Sequence, residues 1–343
     1  METMKAAVLV APHRFEIREM PVPAVGPADV LIKVARTGIC GTDMHMFNGH
    51  YAADQLPIIP GHEFSGTIAR LGADVTRLNV GMRVVADINV GCGTCFYCRR
   101  NEILNCAEVR QIGISRDGGF AEYVSVSARL VIPAAAEAEF DLLALVEPVA
   151  CVVRAARKAN VRFGQSVVIL GAGPIGNLHV QMMRVAGAAP IIVVEPSEHR
   201  AQLARQAGAD VVITDPENAR QTVLAMTDGR GADVVIESVG LPKLYRQALG
   251  LLRPGGHLAA FGITGDEETL PLPLLDTVLR EYSLKGSVAG MGEDMHDALT
   301  LLTHGRFKLD AFRGASYRLD DIQQAFEDLP KRTDALKIQI EIS

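Results

Sequence analysis

The sequence predicts an α/β chain of two domains, a loop-rich β unit followed by a doubly wound parallel sheet of six strands. Three observations carry this expectation. At 343 residues the chain exceeds the size at which one core keeps growing. From about residue 4 to 150, short apolar runs are separated by Pro and Gly, the grammar of turn-rich β structure. After Phe140 apolar strands alternate with helical stretches, as they do in parallel sheets buried on both faces.

Taken in order, the first unit should hold strands at Met4 to Val10, Val30 to Ala35, Gly66 to Leu71 and Arg83 to Ala86. Leu142 to Val146 and Val149 to Ala159 carry helical material, with Pro148 at a helix start, where its missing N–H is no loss. The parallel strands are expected at Val167 to Leu170, Ile191 to Glu195, Val211 to Thr214, Asp233 to Ser238, His257 to Ile263 and Ser283 to Val288. Past about Gly290 the chain turns to amphipathic helix and then to two short strands, near Ala315 to Arg318 and Leu336 to Glu341. Composition alone assigns those strands to neither unit.

Composition excludes several functions. A hydrophobic fraction of 48% with 32 glycines and 17 prolines describes a turn-rich globular protein and not a disordered chain. The formal charge of -6, with no long basic run, argues against nucleic acid as a partner. Charged residues interrupt every apolar run before it reaches membrane-spanning length, and no repeat period or low-complexity linker is present. The opening segment Met1-Glu2-Thr3-Met4-Lys5-Ala6-Ala7-Val8 lacks the pattern of a secretory leader, so a reducing cytoplasm is expected.

The cysteines divide by spacing. Cys92, Cys95 and Cys98 lie three residues apart and Cys106 follows eight later, in a glycine-containing loop able to fold back on itself. Four thiolates can then close a tetrahedron around a structural zinc with no open position. Disulfides are the other reading, disfavoured in a reducing compartment. Elsewhere Cys40, His62 and Glu63, with Glu147 just before Pro148, offer a thiolate, an imidazole and two carboxylates. Spacing leaves these open: Cys40 could be a core thiol, His62 a satisfied histidine, and either carboxylate a solvated or capping group.

The nucleotide signal is local. Val167-Val168-Ile169-Leu170 runs into Gly171-Ala172-Gly173-Pro174-Ile175-Gly176 and a helical stretch, the context in which G-x-G-x-x-G carries meaning. Gly171 permits the tight turn, Gly173 lets a pyrophosphate approach the backbone, and Gly176 allows close packing of helix on strand. The diphosphate would meet N–H groups at the positive end of the helix. Glu195, nineteen residues after Gly176, can accept hydrogen bonds from the ribose hydroxyls and would repel a 2'-phosphate, which favours NAD. Arg200, a guanidinium close by in sequence, is the feature that could accommodate NADP.

These pieces, in this order, resemble the zinc-dependent medium-chain alcohol dehydrogenases, in the sorbitol and threonine dehydrogenase branch, over essentially the whole chain. Gly61-His62-Glu63-Phe64-Ser65-Gly66 followed by Gly72 looks like that family's zinc signature, with the four-cysteine lobe after it. The resemblance implies a GroES-like catalytic domain at residues 1–150 with its structural zinc lobe at 91–107. It further implies a Rossmann NAD-binding domain at 151–290 and a C-terminal segment, 291–343, returning to the catalytic domain. Cys40 and His62 match ligands of a catalytic zinc, and Glu63 and Glu147 match carboxylates that bind or approach it. The ethanol-type branch has a cysteine where Leu145 to Pro148 offers only Glu147, which points to polyols, sugars and hydroxy amino acids.

By the same resemblance Thr42 and His45 match a proton relay, and Ile175, Glu195, Arg200, Phe261, Gly262, Ile263, Ser287 and Val288 match cofactor-contacting positions. The implied reaction is reversible hydride transfer between NAD and a secondary alcohol, a polyol, sugar alcohol or sugar derivative by preference. L-Threonine oxidised at its 3-position and an aldonate such as idonate are the alternatives. Cys40, Thr42, Phe47, Tyr51 and Phe120 are expected to contribute to the substrate pocket, and Cys151 to be a packing thiol. A homotetramer or homodimer is implied. Against a zinc-free NADPH enone reductase stand His62, Glu63 and the cysteine lobe; against a non-enzymatic regulatory protein binding NAD or zinc stand the relay and the open metal site.

Overall fold

The computed structural model describes every residue except Met1, Asp266, Thr333 and Asp334. The chain forms two compact units. Met1–Ala150, Met291–Thr303 and Asp310–Ser343 make one, and Cys151–Gly290 with His304–Leu309 makes the other. The C-terminal segment is therefore shared: the short stretch His304–Leu309 belongs with the second unit, where Gln181 bonds both the N–H and the C=O of Lys308.

In the first unit a seven-stranded sheet runs in the order Ala315–Arg318, Ile338–Glu341, Asp29–Gly38, Glu63–Leu71, Arg83–Ala86 and Val131–Pro133, with Tyr123–Ser127 also pairing with Asp29–Gly38. The two late strands join here by the antiparallel pairing of Ile338–Glu341 with Asp29–Gly38. A separate hairpin pairs Thr3–Ala11 with Arg14–Pro21. The core of this unit is closed by Phe15 from a strand, Phe47 and Phe326 from helices and Phe120 from a loop, with ring centroids 4.8 to 5.9 Å apart for the pairs that Phe326 makes. This unit is not all-β as expected, since it contains the short helix Gly41–Phe47.

The second unit carries six parallel strands in the order Val211–Ile213, Ile191–Val194, Val167–Leu170, Ala232–Glu237, Leu252–Ala260, Ser283–Gly286. Val167–Leu170 and Ile191–Val194 are buried at every residue, which is why they read as unbroken apolar runs. Strand order reverses between Val167–Leu170 and Ala232–Glu237, and a crevice at the carboxyl ends of such a sheet is where ligands bind. The strands stop earlier than their apolar runs suggest. The N–H groups of Phe261 and Gly262 both turn to Glu237 O (3.0 and 2.9 Å), ending the ladder there. Glu195, Ile263, Ser287 and Val288 consequently sit in the loops beyond the strand ends.

The helix Val146–Ala159 begins two residues before Pro148. Leu142 falls in a separate turn of helix, Phe140–Leu143. Cys151 is buried and its Sγ accepts the N–H of Gly290 at 3.2 Å.

Candidate metal and nucleotide sites

Sheet register gathers the first site. Gly38, the last residue of its strand, pairs with Glu63 on one side and Gln339 on the other. Cys40, two residues past Gly38, and His62, one before Glu63, are thereby drawn to one end of the sheet. The donor atoms of Cys40, His62 and Glu63 lie within 4.8 Å of one another. His62 and Glu63 are buried and Cys40 is half-buried.

Cys40 caps the helix Gly41–Phe47 in an extended conformation, and its N–H donates to Asp43 Oδ2 at 2.8 Å. The other oxygen of Asp43 stands 3.4 Å from His62 Nδ1, long for a hydrogen bond but close enough for its charge to orient the ring. Burial works against a charged His62, yet Asp43 and Cys40 hold its pKa well above the ordinary histidine value. The carboxylate of Glu63 accepts from Lys337 Nζ at 2.5 Å through Oε1, while Oε2 is buried with no hydrogen-bond partner. Burial opposes the charge of Lys337 as well, and Glu63, Cys40 and Glu147 overcome it, raising its pKa. A thiolate, an imidazole and a carboxylate oxygen left bare in a buried cluster are the donor chemistry that suits zinc.

Glu147 is not part of that cluster. It lies buried in the first turn of Val146–Ala159, within electrostatic reach of Lys337. Thr42 and His45 sit three residues apart on the same helix, Thr42 half-buried and His45 exposed. Phe47 and Phe120, expected beside the substrate, are instead packed in the aromatic core, at 4% and 0% exposure. Tyr51 is exposed.

The four-cysteine lobe closes on itself. The sulfurs of Cys92, Cys95, Cys98 and Cys106 all lie within 4.8 Å of one another. Backbone N–H groups of Cys95, Cys98 and Glu108 point at Cys92, Cys95 and Cys106 sulfurs at 3.4 to 3.5 Å. Hydrogen bonds from Thr94, backbone and hydroxyl, bring the Cys92 thiol down to about 6. All four sulfurs fit a tetrahedral zinc without leaving an open position.

In the second unit Gly171 turns out of its strand at φ +91° into the helix Pro174–Val185. A Cβ on Gly176 would fall 2.1 Å from Gly171 O, so no larger residue fits there, whereas one on Gly173 would meet nothing within 4 Å. Glu195, buried, ties the loop down: Oε2 accepts from Ala172 N (2.8 Å) and Oε1 from Ser197 N (2.9 Å). Ile175 is half-buried and Arg200 exposed. Along the same carboxyl-terminal edge Phe261, Gly262 and Ile263 follow one strand, with Gly262 O accepting from Tyr245 Oη at 2.6 Å. Ser287 and Val288 follow the next strand, and Ser287 Oγ is buried without a hydrogen-bond partner.

Comparison with known proteins agrees with both halves. Residues 26–136 match the alcohol dehydrogenase GroES-like domain, and residues 174–304 match the zinc-binding dehydrogenase domain. The L-threonine 3-dehydrogenase of Pyrococcus horikoshii is 34% identical over 95% of each chain. The sorbitol dehydrogenase of Halalkalibacterium halodurans is 33% identical over 94% of each. The chain belongs to the zinc-dependent medium-chain alcohol dehydrogenase family. Among solved medium-chain dehydrogenases, one from Sinorhizobium meliloti 1021, a zinc-binding dehydrogenase bound to NADP, superposes with a TM-score of 0.93 at 31% identity and covers 100% of both chains.

Two residues packed against the candidate metal ligands of this medium-chain dehydrogenase escaped sequence reasoning. Asp43 had a signal, an acid three residues after a helix-starting Cys40. Lys337 had none, being 274 residues from the carboxylate it holds.

Proposed function

We propose that this dehydrogenase transfers hydride reversibly between NAD and a secondary alcohol, preferentially a polyol, sugar alcohol or sugar derivative. The observation that carries the proposal is the buried Cys40, His62 and Glu63 cluster with its unpartnered carboxylate oxygen. Bound there, zinc would supply Lewis acidity that makes the alcohol easier to deprotonate, and NAD would take up the hydride. Cys40, His62 and Glu63 would hold the metal, with Glu147 nearby as a further carboxylate, and Asp43 would fix the His62 ring. Thr42 takes the alcohol proton, and exposed His45, one helical turn on, passes it to water. Cys92, Cys95, Cys98 and Cys106 would hold a second zinc, which would supply structural closure to the lobe.

Gly171, Gly173 and Gly176 receive the pyrophosphate with Ile175, and Glu195 receives the ribose hydroxyls. Phe261, Gly262, Ile263, Ser287 and Val288 border the nicotinamide half. The buried carboxylate of Glu195 favours NAD over NADP. Arg200 is exposed, and a neighbouring structure was solved with NADP, so both cofactors belong in the assay.

L-Threonine is the second reading, supported by the 34% identical relative of that name. A panel of linear polyols, aldonates, L-threonine and simple alcohols with each cofactor, followed by absorbance of reduced nicotinamide, tests the assignment. Fast turnover of a polyol with NAD is the expected result. Turnover of threonine alone replaces the substrate class, and no turnover of any alcohol by zinc-loaded protein overturns the enzymatic reading.

The chain works as a homo-oligomer, a dimer or tetramer. Support comes from the helix Leu274–Leu279, whose Leu274, Leu275, Val278 and Leu279 are each 71 to 73% exposed. Beside it Ser283–Gly286 ends the sheet, with every residue exposed and one edge unpaired. The described cysteines form no disulfide, which suits a reducing compartment such as the cytoplasm. No described helix is long and apolar enough to cross a membrane.

A further inference from the structure

Lys337 immediately precedes the strand Ile338–Glu341, and its side chain is 6% exposed. Its ammonium lies 2.5 Å from Glu63 Oε1. Glu63 is fully buried, and its second oxygen is pressed against Gly38: a Cβ there would fall 2.2 Å from Oε2 and 3.0 Å from Lys337 Cε. The glycine therefore leaves room for a carboxylate divided between two tasks. One oxygen is spoken for by a positive charge of the chain itself, and the other is buried without a hydrogen-bond partner, on a carboxylate that shares a cluster with the Cys40 and His62 donors.

A buried lysine is costly, and it is held where a divalent cation would be its neighbour. Two positive charges sharing one carboxylate repel each other. The ammonium also restricts Glu63 to a single oxygen for the metal, since it engages Oε1 and leaves only Oε2 without a partner. We propose that Lys337 is a positioning residue for the metal cluster: it limits Glu63 to one-oxygen ligation through Oε2 and weakens the site's hold on zinc. The proposal rests on the reading of Cys40, His62 and Glu63 as metal ligands.

The separable effects of Lys337 are geometry and charge, and two variants divide them. Lys337→Gln keeps a donor for Oε1 without the charge, and Lys337→Met keeps neither; Lys337→Arg keeps both. Each is purified as the zinc-loaded full chain, timed for release of zinc to a chelator, and reconstituted with cobalt(II) for its visible ligand-field spectrum. Both uncharged variants should release zinc from the Cys40 site at least about tenfold more slowly, from the loss of a nearby like charge. The cobalt bands should shift in Lys337→Met, as Glu63 becomes free to offer both oxygens, and stay at their original position in Lys337→Gln. Lys337→Arg should restore the original release rate and spectrum.

Unchanged release and unchanged bands in Lys337→Met would overturn the proposal, reducing the lysine to a space-filling role. Should Lys337→Met fail to fold, Lys337→Gln decides by itself: slower release upholds the charge effect and equal release overturns it. Failure of the underlying metal reading looks different. In that case Cys40→Ser would bind as much zinc and give the same cobalt spectrum as the unaltered chain.

Discussion

At the scale of single residues, what distinguishes the candidate metal cluster is how much of its geometry is set by groups other than the proposed ligands. Asp43 links the two ligands nearest it, taking the N–H of Cys40 with one oxygen and facing His62 with the other. Asp43→Asn keeps the shape and removes the charge, so zinc affinity should fall by about tenfold to a hundredfold, measured by chelator competition. Circular dichroism should be unchanged. His179 is a different kind of buried group. It is fully enclosed on the helix Pro174–Val185, edge-on to Phe261 at 4.8 Å, with neither ring nitrogen hydrogen-bonded, and burial drives its pKa down to about 3. The unfolded chain takes up a proton near pH 6.5 that the folded ring refuses, so stability falls as pH drops from about 6.5 toward 3. Denaturant titrations of His179→Leu and the parent should therefore diverge by about 2 kcal/mol in the variant's favour between pH 7 and pH 5. A constant difference across that range would show that the parent's ring is not the acid-sensitive group.

At the scale of elements, the cysteine lobe has little regular structure to hold it, since the helix Phe96–Arg99 is a single turn and the strands Asn89–Val90 and Arg110–Gln111 have two residues each. Without zinc little would order it. Cys98→Ser should lower zinc content by one per chain and increase proteolytic cleavage near residues 92–106, while Cys40→Ser should lose one zinc and all turnover with the lobe intact. The lobe was legible because all four sulfurs lie within fifteen residues, and the glycine loop because strand, turn and helix are contiguous. Cys40, His62 and Glu63 could be named but not joined, because what joins them is the register of Asp29–Gly38 with Glu63–Leu71. Phe47 was misjudged for a related reason. It closes the helix that begins with Cys40, and only the fold reveals that this end of the helix faces Phe15 and Phe326.

At the scale of the whole molecule, the apolar helix Leu274–Leu279 and the open strand edge beside it bear on solution behaviour. Large exposed aliphatic side chains grouped in this way are uncommon on a monomer. Leu275→Asp should shift the protein to a smaller species in sedimentation velocity, with unchanged zinc content. A parent that sediments as a monomer would refute the assembly.

The pairing of Ile338–Glu341 with Asp29–Gly38 sets a timetable for synthesis. The parallel sheet of the second unit uses only strands from Val167 to Gly286, so its whole strand set has left the ribosome while the first unit still lacks a strand. Lys337 is made after every strand of that parallel sheet. A nascent chain can therefore present Cys40, His62 and Glu63 to metal before their internal cation exists, and the resident lysine must be fitted in beside them afterwards.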